Sequence, residues 1–93
     1  MQFEWDENKS NACFSERGFD FAYAASAFAD PKRLTRRDLR FDYGEDRFRL
    51  TGRIEGRLFV LIYTLRQNSI RIISVRKANS REAKSHENRS NDD

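Results

Sequence analysis

The stretch Ile70-Arg71-Ile72-Ile73-Ser74-Val75-Arg76-Lys77 decides the predicted fold of this chain. It is rich in β-branched residues, which favour β-strands. Because a strand sends alternate side chains to opposite faces, apolar residues lie on both faces, which is typical of an interior strand. Each face also carries a cation, and an unpaired buried charge is costly. The pattern therefore suggests that an anion, such as a phosphate, is bound here.

Two further strands precede this one. Residues 47–53 show the cleanest alternation in the chain, with an apolar side (Phe48, Leu50, Gly52) opposite a polar side (Arg47, Arg49, Thr51, Arg53). Residues 57–65 are apolar on both faces and form a longer strand. Short loops at 54–56 and 66–69 join the three segments, which predicts an antiparallel β-meander.

The N-terminal part of the chain predicts a pair of helices. Asp6 is a candidate N-cap for a helix over residues 7–17, which Gly18 ends. Asp20 is a candidate cap for a second helix, whose apolar stripe consists of Phe21, Ala24, Ala25 and Phe28. This helix stops at Asp30-Pro31, because the residue before proline avoids helical geometry.

Other short elements complete the prediction. Residues 1–5 are compatible with an edge strand, residues 34–35 with the start of another strand, and Ser80 with the cap of a short helix through Lys84. We therefore expect an α+β fold, in which an N-terminal helix pair packs on an antiparallel meander followed by a short C-terminal helix. One domain is expected over residues 1–86, with a flexible C-terminal tail over residues 87–93.

Composition excludes several classes of protein. The chain has 93 residues, a net charge of +3 and 13% aromatic residues, which favours one small packed domain over a disordered chain. A single cysteine (Cys13) and a single histidine (His86) form neither an internal disulfide nor a structural zinc site. The longest apolar run, residues 58–63, is far shorter than a membrane span, and no secretory signal pattern is present.

The predicted sheet carries an array of arginines rather than a nucleophilic triad or a nucleotide-binding glycine loop. Guanidinium groups suit phosphate oxygens, and they can bind a nucleic-acid backbone or stabilise a phosphoryl transition state. A solvated strand face is the alternative, in which the arginines pair with Glu45, Asp46 and Glu55. The pattern alone leaves both interpretations open. Glu45 is a candidate general base, although loop carboxylates are common.

Several segments together resemble the BrnT family, the toxin halves of a bacterial toxin–antitoxin system. The opening Phe3-Glu4-Trp5-Asp6 with Lys9 is similar to the family, and so is Gly18 followed by residues 21–31. Further similarity lies in Gly44-Glu45-Asp46-Arg47, Gly52-Arg53, Arg57-Leu58, residues 70–78 and Arg81-Glu82. The resemblance covers roughly residues 2–85.

This resemblance implies a RelE-like α+β endoribonuclease that cuts RNA without a metal or other cofactor and inhibits translation in the cytoplasm. The ribose 2′-hydroxyl would attack the adjacent phosphate while a side chain takes the proton and cations stabilise the phosphorane. It also implies a ribbon-helix-helix antitoxin (BrnA-like) that neutralises the toxin, binds operator DNA and assembles with it as a heterotetramer.

The resemblance leads to named site residues. The expected catalytic residues are Arg53, Arg71, Arg76 and Glu45, with His86 as another candidate base. The expected RNA-binding residues are Lys9, Arg17, Arg47, Arg49, Lys77 and Arg81. Arg71 and Arg76 have opposite parity on a regular strand, so they share a face only if a bulge intervenes.

The chain departs from the family pattern at the end of the first helix. The family commonly has Asn and then Lys-His-Gly, where this chain has Cys13 and Glu16-Arg17-Gly18. Arg17 cannot replace a histidine as proton acceptor, because a guanidinium stays protonated. This departure keeps a second hypothesis open, a non-catalytic module that binds the antitoxin and acts as a transcriptional co-repressor.

Overall fold

A five-stranded β-sheet organises the protein in the computed structural model, which describes residues 2–40 and 42–91. Its strands are β1 (Gln2–Trp5), β2 (Leu34–Arg37), β3 (Arg47–Ile54), β4 (Arg57–Arg66) and β5 (Ser69–Lys77). The helices are α1 (Glu7–Arg17), α2 (Phe21–Ala24), a 3₁₀ segment (Ala25–Ala29) and α3 (Ser80–Asn91). The strand order across the sheet is β1-β5-β4-β3-β2.

The meander and the interior position of β5 are confirmed. Strands β3, β4 and β5 pair antiparallel in sequence order, and β5 lies between β4 and β1. The tight β3–β4 turn places Glu55 and Gly56 at positive φ (51° and 81°), the backbone geometry of a hairpin turn whose twist matches the strands.

A register shift in β5 settles the parity of its arginines. Ile62 of β4 pairs with Ser74, but the next residue, Tyr63, pairs with Ile72, so Ile73 is the extra residue of a β-bulge. Arg71 and Arg76 pair with residues 64 and 60 of β4, which point to the same side of the sheet. The bulge that Arg71 and Arg76 need in order to share a face is therefore present, and one face carries both guanidinium groups.

We call this side the basic face, defined by the alternate residues Arg47, Arg49, Thr51 and Arg53 of β3, Leu58, Val60, Ile62 and Thr64 of β4, and Arg71, Ser74 and Arg76 of β5. The opposite side, the apolar face, packs against α1, α2 and the 3₁₀ segment. Its largest fully buried residues are Leu50, Phe59, Leu61, Ile72 and Val75. The apolar face therefore holds the main core.

The helix pair is capped and packed as its sequence predicts. The Asp6 carboxylate accepts hydrogen bonds at the start of α1, and Gly18 ends that helix in the left-handed conformation (φ 85°). Asp20 caps α2. The 3₁₀ segment lies very close to β3, because a Cβ atom added to Gly52 would lie 2.8 Å from the carbonyl oxygen of Ala27.

Three expectations about the architecture need correction. The edge strand expected over residues 1–5 is confirmed as β1, but it precedes the helix pair and runs parallel to β5, so the sheet is mixed rather than purely antiparallel. The single helix expected over residues 21–28 divides into α2 and the 3₁₀ segment. The C-terminal helix is longer than expected, since it continues through residues 87–91 of the segment assigned to the tail. Residues 92 and 93 lie outside the described residues, and the likeness to RelE stays a prediction.

Helix α3 packs on the basic face through a small apolar cluster. Its Ala83, together with Ala78, contacts Leu58 and Val60 of β4. Asn79, rather than Ser80, caps the helix: the backbone N–H of Glu82 donates to Asn79 Oδ1 (2.8 Å), and the backbone N–H of Asn79 donates to Glu82 Oε1 (2.9 Å). These two reciprocal hydrogen bonds match those of a capping box, with asparagine in the N-cap position. None of the helices in the described residues is long and apolar enough to cross a membrane.

Candidate functional site

A cavity of about 240 Å³ lies on the basic face, where α3 crosses β2 and β3. Four of its lining side chains are arginines and only one is a carboxylate; the lining residues are Leu34, Arg36, Arg49, Thr51, Arg81, Glu82, Ser85, His86 and Arg89. Because cations outnumber anions around this open cavity, it attracts negatively charged ligands.

Strand register and helix period bring these residues together. Arg36 of β2 pairs directly with Arg49 of β3, and Leu34 pairs with Thr51, so the four side chains form two neighbouring rows. On α3, residues 82, 86 and 89 follow the helical spacing that places side chains on one face. The cavity is thus built from two adjacent strands and one helix face.

Glu82 is the acid that links the helix to the sheet. It accepts hydrogen bonds from both terminal nitrogens of Arg76 (2.7 and 2.8 Å) and also forms an ion pair with Arg49. The hydrogen bonds from Arg76 lower the pKa of Glu82 to about 2, despite its burial. A carboxylate thus takes the position between β3 and β5 that an anionic ligand would favour.

His86 is the unusual polar group of the cavity. Its side chain is buried (4% exposed), and neither ring nitrogen has a hydrogen-bond partner in the described part of the chain. Burial lowers the pKa of His86, the charge of Arg53 lowers it further, and Asp30 opposes both. The imidazole is therefore neutral at neutral pH, with a nitrogen lone pair that can accept a proton.

Three arginines of the cavity carry uncompensated charge. Arg36, Arg81 and Arg89 have no carboxylate within ion-pairing distance among residues 2–40 and 42–91. All three side chains are exposed to solvent, and guanidinium groups without a carboxylate partner are directional donors for phosphate oxygens.

The sequence matches the model of a family described as ribonuclease toxin, BrnT, of type II toxin–antitoxin system, over residues 5–82. This match spans most of the chain. The chain belongs to the BrnT family. No curated protein matches it.

Membership of the BrnT family makes the chain a ribonuclease toxin of a type II toxin–antitoxin system, which implies an antitoxin partner. The matched segment includes β5 and Glu82 but ends before His86 and Arg89. Within the described residues, no three His, Cys, Asp or Glu side chains come together as a metal-binding group.

The catalytic residues predicted for this BrnT-family chain lie at separate places on the sheet. Arg76 binds Glu82, and Arg71 pairs with Glu4 of β1 (3.5 Å). The guanidinium group of Arg53 donates to the Gly56 carbonyl (3.4 Å), while its backbone N–H donates to Asp30 Oδ2 (2.7 Å). None of Arg53, Arg71 and Arg76 lines the cavity itself.

Glu45, the predicted base, lies in the loop before β3 and does not line the cavity. Its carboxylate forms ion pairs with Arg47 (3.4 Å) and Arg66 (3.3 Å). The guanidinium group of Arg47 also lies 4.0 Å from the ring centre of Tyr43. Arg47 is therefore engaged locally, and the catalytic role of Glu45 stays a prediction.

The predicted RNA-binding residues divide between the two sides of the molecule. Arg49 and Arg81 line the cavity. Arg17 instead donates to the carbonyl oxygen of Val75 (2.6 Å). Val75 lies in the part of β5 that follows its pairing with β1, which ends at Ile72. Lys77 lies 5.9 Å from the ring centre of Phe19, and Lys9 is exposed on α1. Arg17 and Lys77 thus border a separate groove beside the helices.

Sequence reasoning missed Arg36, Arg89 and the anchoring role of Glu82. Arg89 fell in the segment assigned to the tail, although the spacing of Glu82, His86 and Arg89 fits one helix face. Arg36 was not predicted, because its position opposite Arg49 depends on strand register. Helical periodicity could therefore have placed Arg89 beside the cavity. Arg36 could not be placed there from the sequence, because strand pairing is not visible in it.

Proposed function

We propose that the chain is a metal-independent endoribonuclease toxin that binds a phosphate of its RNA substrate in the cavity under α3. The observation that carries this proposal is the excess of arginine over carboxylate in that cavity. Its volume of about 240 Å³ is below the roughly 300–1,000 Å³ of pockets for drug-sized ligands. The cavity therefore suits a phosphate with part of its ribose rather than a folded RNA.

The chemistry in this proposal needs positive charge and a proton acceptor, not a metal. When the 2′-hydroxyl of RNA attacks the adjacent phosphate, negative charge accumulates on the phosphorane oxygens. Guanidinium groups fixed in a partly buried site stabilise this charge without further reorganisation. Arg49 and Arg36 lie in the cavity, and Arg76 reaches it through Glu82. Arg53 and Arg71 extend the positive charge along the basic face.

The toxin's cellular role follows from this activity. We propose that RNA cleavage inhibits translation in the cytoplasm until a ribbon-helix-helix antitoxin neutralises the toxin. The pair would form a heterotetramer that binds operator DNA through the antitoxin. Reconstitution with the antitoxin, followed by mass measurement and an RNA-cleavage assay, tests the assembly and its inhibition together.

A cleavage assay tests the proposed activity. The purified protein is mixed with single-stranded RNA in the presence of a chelator, and we expect fragments that end in a 2′,3′-cyclic phosphate. Arg36→Gln should weaken RNA binding and cleavage. Arg37→Gln is the matched control, because the neighbouring side chain pairs with Asp46 outside the cavity. Equal loss in both variants, or cleavage that requires a divalent metal, would overturn the proposal.

Binding should also depend on salt. For single-stranded RNA the logarithm of affinity falls by about 0.7 per logarithm of salt for each phosphate neutralised. Arg36→Gln should make this slope shallower by about one phosphate contact, whereas Arg37→Gln should leave it unchanged. An affinity of the unmodified toxin that does not vary with salt would remove the basic face from RNA binding.

The contact of Glu82 with Arg49 and Arg76 favours a second candidate function. Because these arginines are already neutralised, the chain is also compatible with a non-catalytic antitoxin-binding module that acts as a transcriptional co-repressor. Induced expression in bacteria separates the two functions. Growth arrest that Arg36→Gln relieves supports cleavage, whereas normal growth with folded protein supports the co-repressor.

A further inference from the structure

We propose that the imidazole of His86 accepts the proton of the attacking ribose 2′-hydroxyl when an RNA phosphate binds among the arginines of the cavity. This inference rests on the proposed ribonuclease function and assigns its missing base. His86 lies on α3, four residues after Glu82, and its side chain lines the same cavity as Arg36, Arg49 and Arg89.

His86 is a buried polar side chain without a hydrogen-bond partner in the described part of the chain. Buried polar groups are nearly always hydrogen-bonded, and each exception needs an explanation. Both ring nitrogens of His86 lack a partner among the described residues, although the residue is only 4% exposed. A group that carries this cost beside an arginine-lined cavity is suited to contact a ligand.

The charges around His86 come from every element packed against it. The charges that act on the imidazole are Arg53 on β3 and Asp30 after the 3₁₀ segment. The cavity that His86 lines also carries Arg36 on β2, Arg49 on β3, and Arg81, Glu82 and Arg89 on α3. Burial, the largest cause, and the charge of Arg53 lower the pKa of His86 and so disfavour the imidazolium form. An incoming phosphate reverses that balance, because its negative charge stabilises a protonated imidazole beside it.

The reaction then balances without a metal or redox partner. The 2′-oxygen forms a bond to phosphorus, and its proton moves to a ring nitrogen of His86. The bond between phosphorus and the 5′-oxygen breaks, and the leaving oxygen takes a proton from water. The products are a 2′,3′-cyclic phosphate and a 5′-hydroxyl, and His86 later returns its proton to solvent.

Access to the ring requires α3 to shift. Both ring nitrogens are buried, and Glu82 holds α3 on Arg49 and Arg76. An RNA phosphate competes with the Glu82 carboxylate for the same guanidinium groups. Beyond Glu82, the apolar attachment that this shift must loosen is the small cluster of Ala83 with Ala78, Leu58 and Val60.

His86→Gln is the direct test, because glutamine keeps a polar side chain but cannot accept a proton at neutral pH. We expect cleavage to fall by about 10²–10⁴-fold, the usual contribution of general acid–base catalysis. Affinity for RNA carrying a 2′-deoxyribose at the scissile position should not change. Lys84→Gln is the control, since this exposed side chain of α3 does not line the cavity. Melting curves of both variants check that they are folded.

The pH profile separates proton transfer from a structural role. The cleavage rate of the unmodified toxin should rise with pH until His86 is neutral and then level off. The residual rate of His86→Gln should lack this rise. A profile that keeps the same shape in the variant would overturn the inference.

Nuclear magnetic resonance gives a readout that does not depend on activity. His86 is the only histidine in the chain, so its ring signals are unique. We expect its pKa to lie below the ordinary histidine value in the free protein and to rise when inorganic phosphate or the 2′-deoxy RNA is added. Arg36→Gln should reduce this rise. A pKa that bound RNA leaves unchanged would exclude contact between His86 and the substrate.

The outcomes distinguish this inference from the function on which it rests. If the unmodified protein does not cleave RNA, the proposed function fails. If it cleaves and His86→Gln cleaves equally well, only the role of His86 fails, and Glu45 becomes the next base to test.

Discussion

The apolar face and the basic face of the same sheet are held by different interactions. On the apolar face, α1, α2 and the 3₁₀ segment cover the main core, which includes Leu50, Phe59 and Leu61. On the basic face, α3 is attached by one small apolar cluster and by the ion pairs of Glu82. Hydrophobic burial is the dominant source of stability, so the apolar face specifies the fold. The basic face keeps charged groups and a helix with a small apolar contact, which suits the proposed RNA site.

The same substitution on both faces gives the largest expected effect. Leu61 on the apolar face and Leu58 on the basic face belong to β4, and both are almost fully buried. Replacing a buried leucine with alanine costs about 2–5 kcal/mol, depending on how well the site can collapse. We expect Leu61→Ala near the upper end of this range and Leu58→Ala near the lower end, because α3 can settle into the space.

Denaturant unfolding measures both variants of this pair. Equal losses in the free energy of unfolding would show that α3 is as firmly packed as the N-terminal helices. That result would weaken the view that α3 can shift to admit RNA.

The acid sensitivity of the Glu82 contact is the second expected effect. The pKa of Glu82 is lowered to about 2, so its contribution to stability is present above the ordinary glutamate pKa and is lost as pH falls towards 2. A hydrogen bond to a charged group contributes about 1.5–3 kcal/mol to stability. The Arg76 side chain is 46% exposed, so solvent screening favours a contribution at or below the lower end of this range. Glu82→Gln should flatten this acid-dependent part of the unfolding curve.

Asp38 provides the comparison for that measurement. Its pKa is also lowered to about 2, chiefly by the side-chain hydrogen bonds from Arg40, but it lies in the loop after β2 rather than on α3. Asp38→Asn should therefore lose its own acid-dependent stability and leave the attachment of α3 unchanged. Acid-induced release of α3 that persists in Glu82→Gln would contradict the role of Glu82.

The sequence predicted the apolar face better than the basic face, for a physical reason. Strands β3 to β5 and the caps at Asp6, Gly18 and Asp20 depend on local periodicity and local hydrogen bonds. These signals lie within a few residues of one another. The contact between Arg49 and Glu82 joins residues 33 positions apart, so no local pattern indicates it.

The position of the bulge shows the limit of pattern reading more sharply. The parity of Arg71 and Arg76 in the sequence shows that they share a face only if a bulge lies between them. Strand pairing is needed to place the extra residue of that bulge at Ile73. The parallel pairing of β1 with β5 was missed for the same reason, since either edge of the sheet suits a short strand. Side-chain roles on the basic face therefore depended on register, which composition does not determine.

Gly52→Ala tests the close contact on the apolar face and should have an intermediate effect. The added methyl group would lie 2.8 Å from a backbone oxygen of the 3₁₀ segment, which cannot move aside as a flexible side chain can. We expect a loss of about 1–3 kcal/mol in the free energy of unfolding, the usual cost of overpacking. Thr51→Ala is the control, because the adjacent residue faces the cavity instead. A loss in Thr51→Ala as large as that in Gly52→Ala would contradict the assignment of the two faces.

Glu82→Gln also predicts the smallest effect, a gain in RNA affinity. Glutamine can preserve the reciprocal hydrogen bonds with Asn79 while it removes the charge that competes with phosphate for Arg49 and Arg76. We expect RNA with a 2′-deoxyribose at the scissile position to bind about tenfold more tightly, which corresponds to about 1.4 kcal/mol. Glu87→Gln, an exposed position on the same helix, makes the same change in net charge without freeing an arginine of the basic face. If both variants gain affinity equally, the gain reflects net charge alone, and Glu82 does not compete with the substrate. If only Glu82→Gln gains, the contact that attaches α3 is also the contact that RNA must replace.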